Sequence, residues 1–427
     1  MRHIQTIAVS LFLSLPLAAA AAVAAAPAAQ ELSWTDCVRA ALENNPGLKA
    51  RKQAIEQYRY TYESQAGINY YLSSVGISHS LSRSGSQLGS PATRASSSLS
   101  AAEPLLDLKG LSAVRSAKIV FDKAYADYKT ESASLRQTLY SAFVNLVYAQ
   151  ENLATQKKIL IIRENSSQLV KLDYNSGTES RGNMMTAEAK TAVSSSSVVQ
   201  AERSLDSARR DLLNAMGSSD FRPVVAKAAL TAPDYTLDTG NVKNLVENIP
   251  QVVSQEKSLE SIKEKLLSAK YDLYPTLNAN ESLGWSGSRE FSGTSSWSLG
   301  LTLNLPVFSN GLTYYANNTK AADWALKSAE ASLTDTKNNL QNNILSGYND
   351  FLNAKDNALV NVSVLNAADE SYKESQIKYQ AGQMSFIDLE TTEQSLVNAQ
   401  LSQLSLFQTA NTSKISLESL LGVGLED

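Results

Sequence analysis

Two copies of one unit make up this chain, and the duplication constrains its fold more than any other feature. Leu42-Glu43-Asn44-Asn45-Pro46 returns as Val246-Glu247-Asn248-Ile249-Pro250. Ala66 and Tyr71 return as Ala269 and Tyr274, and Pro104 with Gly110 returns as Pro306 with Gly311. Tyr174 and Gly177 return as Tyr379 and Gly382, and Leu212 with Met216-Gly217 as Leu417 with Leu421-Gly422. The five pairs keep one order and an offset of roughly 200 residues. The expected organisation is repeat 1 over 30–217, a connector of turns or small strands over 218–240, and repeat 2 over 241–427.

Within each repeat the hydrophobic period changes twice. Trp34 to Tyr70 reads as helix. Val75, Ile77 and Leu81 then fall on alternate positions, a strand signal, before a Gly/Ser/Pro-rich stretch from Ser84 to Ser97 that reads as a loop, and a second strand runs to Pro104. In repeat 2, Leu277, Ala279, Leu283 and Trp285 alternate with small or polar residues. A Gly/Ser loop is expected over Ser286 to Ser295, and Trp297, Leu299, Leu301, Leu303 and Leu305 then alternate with Ser298, Gly300, Thr302 and Asn304. Each run has about the length of a membrane-spanning strand. A half-buried soluble hairpin fits the alternation as well.

A long helix follows each hairpin. Leu139, Leu146, Leu153 and Leu160 recur every seven residues with Leu135, Ala142 and Ala149 interleaved, and Ile344, Phe351, Ala358 and Leu365 do the same in repeat 2. Gly110 to Tyr174 as one helix would extend on the order of 100 Å. Each long helix stops at a glycine suited to a left-handed turn, Gly177 or Gly382. After the second, Ser385 reads as a helix N-cap with Asp388 as the acid at N3. Four strands in one chain leave two open edges, which lipid does not tolerate, so membrane strands would require several chains to close one barrel.

The N-terminus reads as a secretory signal over 1–26: Arg2, an apolar run from Ile4 to Leu17, and alanine-rich cleavage sites such as Ala24-Ala25-Ala26. A membrane anchor is the alternative. With 38 basic and 42 acidic residues the chain has no nucleic-acid footprint. Cys37 is the only cysteine and His3 and His79 the only histidines, too few for a His/Cys metal cluster, and no cofactor is expected. Nothing singles out a catalytic pair, and a nucleophile triad would have only His79 to draw on in the exported chain.

The chain resembles the TolC-like outer membrane factor family, the exit ducts of efflux pumps and type I secretion systems. The resemblance covers essentially the whole mature sequence. It rests on Leu32-Ser33-Trp34-Thr35-Asp36-Cys37 through Asn45-Pro46, on Tyr274-Pro275-Thr276-Leu277, on Leu305-Pro306-Val307-Phe308-Ser309-Asn310-Gly311, and above all on Lys378-Tyr379-Gln380-Ala381-Gly382 with Ser385, Asp388 and Leu389. It implies a mainly α fold with a membrane β-barrel portion: a two-repeat α-helical barrel plus four strands per chain, closing as a trimeric twelve-stranded β-barrel. It implies a homotrimer in outer-membrane lipid, a periplasmic adaptor protein at the helix tips and an inner-membrane transporter behind it. The tips at 174–183 and 379–388 would form the periplasmic entrance, with Gly177, Gly382 and Ser385 at its turns and adaptor contacts. Asp388 falls where the family carries a ring of acids narrowing the closed pore. A second family acid often stands three residues later, where this chain has Thr391 with Glu390 beside it, and the first repeat has Asn183 at the position of Asp388. Tyr174, Tyr379 and Asn183 would hold the closed state by hydrogen bonds. The cargo and the energy source of the pump are not legible. An exported coiled-coil stalk explains the signal and heptads but not two strand hairpins at equivalent places. The poverty of histidine and cysteine and the absence of a Gly-rich nucleophile turn argue against a periplasmic hydrolase.

Overall fold

In the computed structural model the described residues are 30–426 apart from 72, 86–90, 221, 290–291, 308–309 and 312, so the expected signal over 1–26 and the Phe308-Ser309 part of the motif lie outside them. The chain opens with β1 (Gln30–Leu32), α1 (Trp34–Asn44) and α2 (Pro46–Tyr70). The single helix expected over Trp34 to Tyr70 is therefore two. Pro46 takes the N1 position of α2, where its missing N–H is harmless, and forces Asn45 into an extended conformation, φ −62° and ψ 123°. Asn45 then caps α2 by accepting from the Leu48 N–H at 3.1 Å.

Next come β2 (Ser74–Ser84), β3 (Ala92–Leu106), the 69-residue helix α3 (Leu108–Ser176) and α4 (Arg181–Ala215). The connector carries β4 (Val224–Ala226), which pairs in parallel with β1. Repeat 2 contains α5 (Val242–Asn248), α6 (Pro250–Tyr271), β5 (Thr276–Arg289), β6 (Ser292–Asn304), the 67-residue helix α7 (Tyr314–Gln380) and α8 (Phe386–Leu420).

The two hairpins join into one antiparallel sheet in the order β2-β3-β5-β6, which leaves β2 and β6 as its edges. Both serine-rich loops are shorter than expected. The strands run to Ser84 and restart at Ala92, and run to Arg289 and restart at Ser292. Serine signals a loop when a strand must bury both faces. Here one face needs polar residues, and the serines bond across the ladder: Ser80 to Ser96 and Ser78 to Ser98, each at 2.8 Å.

Below the sheet α2, α3, α6 and α7 pack side by side; farther down α3 pairs with α4 and α7 with α8 as antiparallel hairpins. The heptad residues form the seams. Leu139, Leu146, Ile344, Phe351 and Ala358 are fully buried, each large one contributing about 1.5–3 kcal/mol of apolar burial. Midway along the helices, β1, α1 and β4 pack on α3 and α4 through Leu32, Cys37, Leu139, Leu146, Leu212 and Val224. A separate core at the far end, with Val170, Tyr372, Tyr379, Phe386, Leu389 and Leu396, joins both helical hairpins.

Candidate functional site: a two-faced sheet and the helix tips

Register sorts the sheet residues into two faces. Val75, Ala101, Glu281 and Leu299 form one cross-strand row, and Ile77, Leu99, Leu283 and Trp297 the next. These side chains share the apolar face, where Ile77 is 85% exposed and Trp297 77%. The opposite face presents Ser78, Ser98, Gly284 and Ser296 in one row and Gly76, Ser100, Ser282 and Ser298 in the next, with Ser80, Ser96, Asn280 and Thr302 around them. Ser282 and Ser298 bond at 2.8 Å, and Asn280 donates to Thr302 at 3.0 Å. A sheet with an exposed apolar face and a hydroxyl-bearing face suits lipid on one side and water on the other. Glu103 and Glu281 are the acids that interrupt the apolar face among the described residues.

Tyrosines mark one border of the apolar band. Tyr70, Tyr71, Tyr271, Tyr274, Tyr314 and Tyr315 cluster where helices meet strands, as aromatic residues do at a membrane interface. Trp285 stands farther along β5, on the apolar face. Eleven residues from Tyr274 to Trp285, at about 3.3 Å each and a tilt of about 40°, cover about 28 Å of depth. That matches the ~25 Å apolar band of an outer-membrane barrel. Among the described residues no helix is long and apolar enough to cross a membrane.

At the other end the two tips follow one design. Gly177 and Gly382 have φ of 81° and 71°, and their N–H groups donate back to the Tyr174 and Tyr379 carbonyls at 3.0 and 2.9 Å. Ser180 then caps α4, accepting from the Asn183 N–H at 3.1 Å, and Ser385 caps α8, accepting from the Asp388 N–H at 3.2 Å. Ser385 Oγ also donates to Asp388 Oδ2 at 2.7 Å, which fixes the exposed carboxylate in the first turn of α8. The cap and N3 roles of Ser385 and Asp388 are as expected from the sequence.

The gate candidates do not form one cluster. Asn183 Nδ2 donates to Glu179 Oε2 at 2.7 Å, and the Tyr379 hydroxyl donates to Glu179 Oε1 at 3.4 Å. Glu179, which the sequence reasoning did not select, thus links the tip of one hairpin to the other. Burial, with Asp173 and Glu179 beside it, pushes the Tyr379 phenol up. Tyr174 lies partly exposed and outside this link. Glu390 turns away from Asp388 to pair with Lys190 of α4.

Above the tips a buried pair ties α3 to α8. Arg163 Nη1 lies 2.8 Å from Glu393 Oε1, with side chains 8% and 2% exposed, and Arg163 Nη2 donates to Gln394 Oε1 at 2.8 Å. The 2.8 Å approach is poorly aligned, so Glu393 Oε1 lacks a proper hydrogen bond. Desolvation accordingly raises the Glu393 carboxyl above its usual range, against the pull of Arg163, Ser166 and Lys190. The same burial lowers the Lys190 ammonium. A trace of this pair is in the sequence: Glu393 sits between Leu389 and Leu396 at core spacing.

A lipid-facing sheet backed by a hydroxyl face, set on helices on the order of 100 Å long, defines a membrane channel subunit. The outer membrane efflux protein model matches residues 37–218 and again 241–423, and the chain belongs to that family. No curated protein matches the chain. Solved structures share the fold at low identity. The Vibrio cholerae outer membrane protein VceC is 17% identical with a TM-score of 0.79 over 91% of this chain and 96% of that one. The Campylobacter jejuni CmeC outer membrane channel is 17% identical with a TM-score of 0.82 over 90% and 84%. The open state of the Neisseria gonorrhoeae MtrE outer membrane channel is 20% identical with a TM-score of 0.80 over 92% and 89%. The protein is an outer-membrane efflux channel component, its sheet in the membrane and its helices in the periplasm.

Proposed function

We propose that three copies of this chain close one passive duct, whose periplasmic mouth is narrowed by three Asp388 carboxylates. The sheet edges β2 and β6 carry unpaired backbone groups at membrane level, and edge pairing between copies satisfies them. Four strands from each of three copies make a twelve-stranded barrel with the serine face inward. The residues 30–217 and 241–427 then act as equivalent halves of each subunit, joined by 218–240. The tips receive a periplasmic adaptor, at turns set by Gly177, Gly382 and Ser385, and an inner-membrane transporter supplies the energy, so the chain itself carries no reaction.

One observation carries the gate: Asp388 is exposed and oriented by Ser385, whereas Glu390 is countered by Lys190. A single acidic ring, not two, follows. Three close carboxylates attract cations and repel anions. Asn183 and Tyr379, through Glu179, hold the two tips of one subunit together; Tyr174 remains available to a neighbouring subunit.

Single-channel conductance in planar bilayers tests this. Wild type gives a small, cation-selective conductance blocked by divalent cations, and Asp388→Ala enlarges it or weakens the block. A channel indifferent to Asp388 refutes the gate. No channel from correctly folded, membrane-extracted protein refutes the duct.

A further inference from the structure

A groove of about 620 Å³ runs between the last turns of α6 and the first turns of α7. Its apolar lining comes from Leu266, Leu273 and Tyr315; its charged lining from Lys270, Lys320 and Asp323. Asp323 is already paired with Lys327 at 2.8 Å, and that ammonium also lies 4.5 Å from the Trp324 ring centroid. Lys270 and Lys320 are exposed and have no carboxylate partner among the described residues.

The groove's depth is set by the tyrosine border. Lys270 is one residue from the end of α6, and Lys320 lies about 9 Å along α7 from Tyr314. Both ammoniums therefore fall within the headgroup zone, which extends several ångströms beyond the hydrocarbon. The sides of the α6–α7 pair differ as the sheet faces do. The opposite groove is lined mainly by small, polar and charged residues, among them Ser268, Ala269, Asn318 and Ala321, with Ile262 and Tyr314 as its larger apolar members. On the groove's own side Leu273 is 54% exposed, an apolar surface that a water-filled lumen would not favour.

We infer that this groove binds one anionic phospholipid of the periplasmic leaflet, its phosphate between Lys270 and Lys320 and an acyl chain along Leu266 and Leu273. Two unpaired cations at headgroup depth call for an anion, and the apolar lining calls for that anion to carry hydrocarbon. A zwitterionic lipid offers no net charge to hold. The inference rests on the membrane placement above.

Native mass spectrometry of the full-length protein, extracted in detergent and titrated with phosphatidylglycerol or phosphatidylcholine, tests it. Wild type retains phosphatidylglycerol preferentially. Lys270→Gln or Lys320→Gln weakens retention about fivefold each and the pair about thirtyfold. Lys265→Gln, in the opposite groove, changes nothing. Equal retention of both lipids, or no effect of the lysine changes, overturns the site. So does inorganic phosphate that displaces phosphatidylglycerol with the same lysine dependence, which marks a free-anion site. Protection of Lys270 and Lys320 from amine acylation in lipid-free protein also overturns it, because a neighbouring copy then covers the groove. Channel conductance of the double variant separates the two readings: conductance unchanged with lipid selectivity absent sinks the lipid site alone.

Discussion

Replacing Glu393 with leucine strands a guanidinium. The Arg163 side chain is 8% exposed, and its counter-charge at 2.8 Å disappears while the hydrogen bond to Gln394 remains. Breaking a buried ion pair at one partner costs about 3–5 kcal/mol, whereas replacing both partners by apolar residues is often neutral. A loss of about 3–5 kcal/mol shifts a local opening equilibrium by about two to nearly four orders of magnitude. The surviving Gln394 bond favours the lower end. Because the pair joins α3 to α8 within the tip core, the effect is local. Hydrogen exchange read by mass spectrometry on peptides spanning 160–171 and 386–398 measures it directly. Glu393→Leu speeds exchange there by at least a hundredfold and leaves the β1–β4 region unchanged; Arg163→Leu with Glu393→Leu restores most of the protection. Acceleration below tenfold, or a double variant as labile as the single, refutes the argument that an uncompensated charge controls tip stability.

The tip glycines should respond to conformation alone. A Cβ at Gly177 or Gly382 meets nothing within 4 Å, so alanine there costs only the left-handed backbone penalty of about 1 kcal/mol. At Gly217, φ 78°, a Cβ would also lie 2.7 Å from the Asn44 carbonyl oxygen, and Gly217→Ala lowers the thermal midpoint more than either tip change. On the sheet, Ile77→Arg places a charge on the lipid face and costs about 2–4 kcal/mol of membrane-folding stability if it lies near the midplane. Ser98→Arg, on the other face, costs less and instead shifts ion selectivity towards anions. Equal losses in folding into phosphatidylcholine vesicles would contradict the assignment of faces.

Legibility in the sequence followed the strength of each local rule. Leu139, Leu146, Ile344 and Phe351 revealed the long helices because a heptad seam must be apolar at fixed spacing, and all four are buried. Gly177 and Gly382 revealed the tips because a left-handed turn excludes most other residues. Ser96 and Ser97 misled because serine is common in loops, and only the ladder partners Ser80 and His79 make them strand residues. Asn45-Pro46 was read through as helix although the proline forces the break. Glu179, Lys190 and Arg163 stayed hidden because their partners Tyr379, Glu390 and Glu393 lie roughly 200 residues away, and no periodicity encodes a pairing across two hairpins.

The order β2-β3-β5-β6 has a consequence for how the chain acquires its shape. Its central pairing, β3 with β5, joins Leu99 to Leu283, and β1 waits for β4, with Leu32 opposite Ala226. The last residues are tied back as well: the Leu425 N–H donates to Ser132 Oγ at 2.9 Å, and the Tyr128 hydroxyl donates to Glu426 at 2.5 Å. These contacts are remote in sequence, so their loop-closure entropy is met before they yield any stability. As the chain emerges from its N-terminus, the first half presents a strand hairpin with no neighbour and a long helix without its upper partner. Completion comes only after Leu425 and Glu426 have arrived, and until β5 pairs with it the β3 edge must be shielded from other chains.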